Sequence, residues 1–94
     1  MKKLFEESPA STRVELNQQM ELRCVPPAGV PPPRVYWLQG GQPLQPDTSI
    51  LVSTEGHLLI GQARSQDTNN YTCVAENIAA KRMAAPAEII VYGE

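Results

Sequence analysis

Hydrophobic residues recur at every second position along this chain, in short runs divided by turn-forming residues, and a period of two predicts β-strands. The clearest run holds Met20, Leu22 and Cys24 with Glu21 and Arg23 between them. Alternation sends the three apolar side chains to one face and the two charges to the other. Residues 12–16 alternate in the same way, with Val14 and Leu16 facing one side, and in 35–38 Val35 and Trp37 alternate with Tyr36 and Leu38. Further short strands are expected at 49–53 and 58–62, around Glu55-Gly56, and then at 71–75 and 87–92. Gly40-Gly41-Gln42-Pro43 reads as a turn, and residues 63–67 as a tight helical turn leading into Tyr71. The pattern as a whole predicts an all-β chain.

One segment breaks the alternation. Between residues 26 and 33, five of eight positions are proline, which lacks the N–H that a central strand needs. The segment is expected to be an extended inter-strand loop stiffened by polyproline-like geometry, the other reading being a proline-rich ligand motif. Nine prolines and six glycines overall favour many turns and leave little room for long helices. Ninety-four residues suit one domain, 1–94, with a modest core, and no repeat, low-complexity tail or internal linker divides it. A net charge of −2 with both signs mixed gives no electrostatic reason for nucleic-acid binding. No apolar run is long enough to span a bilayer. Met1-Lys2-Lys3 begins like a signal peptide, but only Leu4-Phe5 follow where about 7–15 apolar residues are needed, and then come Glu6-Glu7. Residues 1–7 are therefore expected to be a linker or the start of a fragment. The native signal and membrane anchor would then lie elsewhere in a larger parent protein.

The two cysteines, Cys24 and Cys73, stand too far apart for a C-x-x-C redox pair and are too few for a zinc site. Bonded, they would close a loop of about 49 residues, worth roughly 4 kcal/mol by chain entropy; the alternative is two free, buried thiols. His57, the lone histidine, stands beside Gly56 at a strand start and is expected to be a surface turn residue. No Ser-His-Asp, metal-ligand or calcium-loop spacing accompanies it, so neither an enzyme nor a metal or cofactor site is expected.

Taken together, these pieces acquire a specific order. Cys24 is followed 13 residues later by Trp37, and Cys73 comes 36 residues after that, with Tyr71 two positions before it. This resembles an immunoglobulin β-sandwich of two antiparallel sheets, in which the cysteines bridge the sheets, the tryptophan packs on the bridge and the tyrosine hydroxyl bonds backbone upstream. Asp67, four residues before Tyr71, is placed to order the intervening turn through backbone amides. Leu58, Ile60, Ala63, Asp67, Tyr71 and Cys73, continued by Cys73-Val74-Ala75-Glu76-Asn77, resemble the intermediate-set (I-set) pattern. Two positions depart from that set. Asn69 stands where a glycine is usual, asparagine being the next-best residue for a left-handed conformation, and Ala79-Ala80 replace the glycine of the last hairpin turn.

Finer features resemble the second immunoglobulin domain of the uncoordinated-five netrin receptors. They are the link Phe5-Glu6-Glu7-Ser8-Pro9, the loop Cys24-Val25-Pro26-Pro27-Ala28-Gly29-Val30-Pro31 leading to Val35-Tyr36-Trp37-Leu38, and the corner Gln62-Ala63-Arg64. To these are added Asn70-Tyr71-Thr72-Cys73-Val74-Ala75 and the hairpin Asn77-Ile78-Ala79-Ala80-Lys81-Arg82. The likeness runs from about residue 5 to 92, with residues 40–55 departing from the vertebrate members. It implies an extracellular, ligand-binding segment of a single-pass axon-guidance receptor. Such a segment would contribute to netrin recognition together with a neighbouring immunoglobulin domain, with heparan sulfate as a further partner and no direct membrane contact. The alternatives are a structural module, which would leave the cysteines reduced, and a homophilic-adhesion module, which would self-associate.

Two surface features bear on that function. Asn70-Tyr71-Thr72 is the single glycosylation sequon of the chain; with Tyr71 and Cys73 pointing inward, Asn70 and Thr72 should point outward. Lys81 and Arg82 form the only adjacent basic pair beyond Lys2-Lys3. On the last hairpin they would project from one end of the sandwich, either as a site for an acidic protein patch or sulfated glycan or as a solvated tip.

Overall fold

The computed structural model describes residues 4–93, so Met1–Lys3 of the expected linker lie outside the described residues. Nine strands and one short 3-10 turn, Ser65–Asp67, follow the alternation of the sequence. The smaller sheet joins β2 (Met20–Leu22), β6 (Leu58–Ile60) and β5 (Ile50–Val52) in that order, all antiparallel. The larger runs β1 (Thr12–Glu15), β9 (Ala87–Tyr92), β7 (Asn69–Glu76), β3 (Arg34–Gln39) and β4 (Gln42–Pro43), with β8 (Lys81–Met83) also on β7. One pairing differs from the expected antiparallel sheets: β1 lies parallel to β9, Thr12 opposite Ile89. No two-residue hairpin forces its direction, because the strands are far apart in sequence. Gly40-Gly41 turn as expected, both at positive φ, but Gln42–Pro43 after them pair with Leu38 and Gln39 as a strand.

The period-two residues meet between the sheets. Val14, Leu22, Trp37, Leu58, Ile60 and Ile89 are buried together with the disulfide between Cys24 and Cys73. Trp37 is the cross-strand partner of Cys73, and its Nε1 donates to Gly56 O at 2.8 Å. Gly56 has φ +94°, and a Cβ there would meet the Val35 side chain at 3.0 Å, so the turn before β6 needs glycine.

Within the core, Tyr71 donates its hydroxyl to Asp67 O at 2.6 Å and accepts from Gln39 Nε2 at 3.0 Å. Burial pushes that hydroxyl above its ordinary pKa. Asp67 orders the turn as its position predicts: its Oδ2 accepts from Arg64 N at 2.8 Å, and its Oδ1 meets the Arg64 guanidinium at 3.0 Å. Asn69 does not take the left-handed conformation expected of it. It is the first residue of β7, paired with Ile89, and the non-glycine residue with positive φ is Asn17, at 71°. The last strand is split. β8 and β9 both pair β7, but their registers differ by one residue, and Ala84–Pro86 carry the extra position as a bulge. Among the described residues no helix is long and apolar enough to cross a membrane.

Candidate functional site

Strand β7 is central, with β3 on one side and β8 on the other at its upper end, so its outward residues define rows across the sheet. The row nearest the last hairpin is charged: Arg34, Glu76 and Lys81 are paired side by side. Arg34 Nη2 lies 3.5 Å from Glu76 Oε1, while its guanidinium stacks 5.4 Å from the centre of the Tyr36 ring. The next row is apolar, with Tyr36, Val74 and Met83 abreast; Val74 is wholly buried and Met83 is 55% exposed. Leu38 and Thr72 follow, then Asn70 opposite Glu88 on β9. The face therefore grades from charge at the hairpin, through an apolar and aromatic band, to the sequon.

The hairpin turn is held by one residue. Asn77 Oδ1 accepts from Ala79 N and Ala80 N, both at 2.9 Å, and Asn77 N donates to Ala80 O, which fixes the four-residue turn without a glycine. Asn77 Nδ2 also donates to Pro31 O at 2.9 Å, tying the hairpin to the proline-rich loop. That loop is irregular as predicted, with a cis Val30–Pro31 peptide.

The two basic residues of the hairpin do not act as a pair. Lys81 is exposed on the outward face, whereas Arg82 stands opposite the buried Ala75. Arg82 is half-buried: its Nη1 donates to Lys81 O at 3.1 Å and its enclosed Nε has no hydrogen-bond partner among the described residues. Adjacent positions on a strand face opposite ways, and the split is the result. Asn70 is exposed as expected, but Thr72 is not; it is 9% exposed, paired with Leu38 of the neighbouring β3.

His57 is not a surface turn residue; it is 9% exposed, and its Nδ1 accepts the Cys24 N–H at 3.0 Å. Pairing of β2 with β6 ends at Leu22 opposite Leu58, and Gly56 O already serves Trp37. The imidazole supplies the acceptor that the ladder no longer gives to Cys24. Nδ1 accepts only with the proton on Nε2, so this bond assigns the tautomer. The missed signal lay in the pairing: in the extended β2–β6 register His57 stands opposite Arg23 and Gly56 opposite Cys24, so the imidazole reaches Cys24 N–H from the neighbouring position. Among the described residues no three His, Cys, Asp or Glu converge as a metal site.

The fold is shared with several solved structures. The N-terminal Ig1-2 module of the Drosophila receptor protein tyrosine phosphatase DLAR matches with a TM-score of 0.86 at 22% identity, over 96% of this chain and 45% of that one. Extracellular domains 3–5 of Drosophila OTK match with a TM-score of 0.81 at 27% identity, over 96% and 30%. Immunoglobulin domains 1–5 of Sidekick-1 match with a TM-score of 0.83 at 24% identity, over 95% and 19%. The chain thus spans less than half the length of each of these, all of which carry several domains. A family model described as immunoglobulin domain matches residues 5–77, taking in both cysteines, Trp37, Asp67 and Tyr71, and the chain belongs to that family.

Proposed function

We propose that the 94 residues act as one extracellular, ligand-binding immunoglobulin module of an axon-guidance receptor, and that the module contributes to netrin recognition. The observation that carries this reading is the hairpin Asn77-Ile78-Ala79-Ala80-Lys81-Arg82 together with the Pro26-Pro27-Ala28-Gly29 loop, which resemble the uncoordinated-five receptors and are tied together through Asn77 and Pro31. Recognition uses the outward face of the larger sheet at its hairpin end. There Lys81 offers an exposed cation beside the Tyr36–Met83 band, suited to an acidic protein patch or a sulfated glycan. An N-linked glycan on Asn70 belongs to the same reading. It stands six residues along β7 from Glu76, about 20 Å away at strand spacing, and leaves the hairpin end uncovered. A mobility shift on expression in animal cells, lost with Asn70→Gln, checks the glycan; an unchanged mobility would remove it.

The test of ligand binding is direct. Immobilised netrin is titrated with the domain joined to its native neighbours, as wild type and as Lys81→Glu. Wild type should bind, and reversing the charge should weaken binding about tenfold and reduce its salt dependence. No binding by the folded, disulfide-bonded protein would overturn the netrin reading and leave an immunoglobulin module with a different partner.

A further inference from the structure

Strand β1 covers the outer side of β9, pairing Thr12–Glu15 with residues 89–92, and stops short of β8. Among the described residues β8 pairs with β7 alone, so its far side is an open edge of the larger sheet. The ladder fixes which groups lie on that edge. Asn77 N donates to Ala80 O and Ala84 N donates to Cys73 O, so Ala80, Arg82 and Ala84 occupy the hydrogen-bonded positions against β7. Lys81 and Met83 alternate with them and turn their N–H and C=O groups away from β7. Of these four groups only Lys81 O has a partner among the described residues, Arg82 Nη1 at 3.1 Å.

Arg82 is the unusual member of this edge. Arg23, Arg34 and Arg64 each meet a carboxylate, and Arg13 stacks on the Tyr92 ring. Arg82 has neither kind of partner among the described residues, although it is half-buried and its Nε is enclosed without an acceptor. Leaving an enclosed donor unmet is costly, and the guanidinium fork is shaped for a carboxylate rather than for one carbonyl. Charge on an edge strand also discourages pairing between copies. Two β8 strands placed antiparallel about Arg82 would set guanidinium against guanidinium, a destabilising like-charge pair. The charges that turn away a second copy favour a strand that carries acid.

We infer that the open edge of β8 is a docking site for an extended acidic segment of a partner protein, added as a strand antiparallel to β8 with a carboxylate opposite Arg82. In that register Lys81 and Met83 exchange the backbone bonds. Arg82 and the acidic residue form the closer, non-hydrogen-bonded pair, with Cα atoms about 4.5 Å apart. The carboxylate draws the guanidinium off Lys81 O, which frees the fourth backbone group for the incoming strand. Arg82 thus holds the edge closed to neutral segments and opens it to acidic ones. The residue opposite Met83 extends the band of Tyr36 and Val74, so the fitting order is an aliphatic residue followed by Glu. The site ends at Ala84–Pro86, where the bulge turns the strand and Pro86 has no N–H to offer. It is a backbone edge, distinct from the outward face, and does not depend on netrin being the partner.

Peptide titration of the isotope-labelled 94-residue protein tests it. The probes are acetyl-Thr-Val-Glu-Thr-Thr-amide and the same peptide with Gln for Glu. With the Glu peptide, the amide signals of Lys81 and Met83 and the Nε–H signal of Arg82 should shift together, and amide exchange at 81 and 83 should slow. The Gln peptide should bind about tenfold more weakly or worse, and Arg82→Gln should remove the difference between the two. Met83→Pro deletes an edge N–H that β7 does not use, so it should weaken binding of the Glu peptide while the β7 amides stay protected. No shift at 81–83 with millimolar peptide would overturn the inference, as would equal binding of the two peptides. Slowed exchange at Lys81 and Met83 that follows protein concentration without peptide would also overturn it and assign the edge to a second copy.

Discussion

A single imidazole stands in for a missing piece of sheet. Cys24 N–H is buried just past the end of the β2–β6 pairing, and His57 Nδ1, not a backbone carbonyl, accepts it. An unmet buried N–H costs about 1–3 kcal/mol, so the side chain matters for its acceptor more than for its bulk. His57→Ala should therefore lower the unfolding free energy by about that amount. His57→Asn, whose Oδ1 falls near the position of Nδ1, should retain most of it. Urea unfolding midpoints of the two variants, with slopes compared, provide the measurement. Equal losses would mean that packing, and not the hydrogen bond, is what His57 provides. Sequence alone misplaced this residue because a histidine next to a glycine in a turn carries no periodic signal; its burial follows from what the ladder lacks, and that is visible only in the register.

The β4–β5 connection shows how an edge strand is protected. β5 is the outer strand of the smaller sheet, with β6 on its inner side. An exposed edge invites pairing with other chains. Here Asp47 Oδ1 accepts from Ser49 N at 2.8 Å and Ile50 N at 2.9 Å, while Asp47 N donates to Ile50 O, so Ile50 is closed off by its own loop. The two backbone N–H groups, with Arg64 beyond them, hold the Asp47 carboxyl below its ordinary pKa. A depressed carboxylate stabilises the fold fully above the unfolded value of about 3.9, and the contribution is lost as pH falls through the lower folded value. Asp47→Asn keeps an acceptor for both N–H groups but does not titrate, so it should flatten part of the acid limb by lowering stability at neutral pH by the charge-dependent part while leaving stability in acid little changed. Glu55, lowered through its own backbone N–H and Ser53, should preserve the rest of that limb. Asp47→Ala should in addition speed amide exchange at Ile50, and unaltered exchange there would show that the loop does not guard the edge. Strand positions such as 20–24 and 35–38 were readable in advance because burial imposes a period of two. Loop bonds of this kind, the parallel β1–β9 pair and the one-residue shift between β8 and β9 were not, because each depends on which distant segments meet.

At the scale of the molecule the sheets are joined at Cys24 and Cys73, and the outward face is organised around the strand that carries the second cysteine. The separation of 49 residues gives a loop-closure contribution of about 4 kcal/mol, against a total stability of about 5–15 kcal/mol for a domain of this kind. The cross-link holds β7 against β2, and β7 in turn sets the rows in which Arg34, Tyr36, Glu76, Lys81 and Met83 stand together. Stability and the proposed recognition face therefore share one strand. Cys24→Ala/Cys73→Ala should lower the melting temperature by about 16–32 °C, at roughly 4–8 °C per kcal/mol for a chain of this length. Where the doubly substituted protein remains folded, the outward face should keep its register, because the β3–β7 and β7–β8 ladders do not need the bond. Scanning calorimetry with amide exchange across residues 69–76 separates the two effects. A small fall in melting temperature would show that Trp37 and the aliphatic core hold the sheets together by themselves. A large fall with protection on β7 also lost below the transition would show that the disulfide shapes the outward face of the larger sheet as well as stabilising the domain.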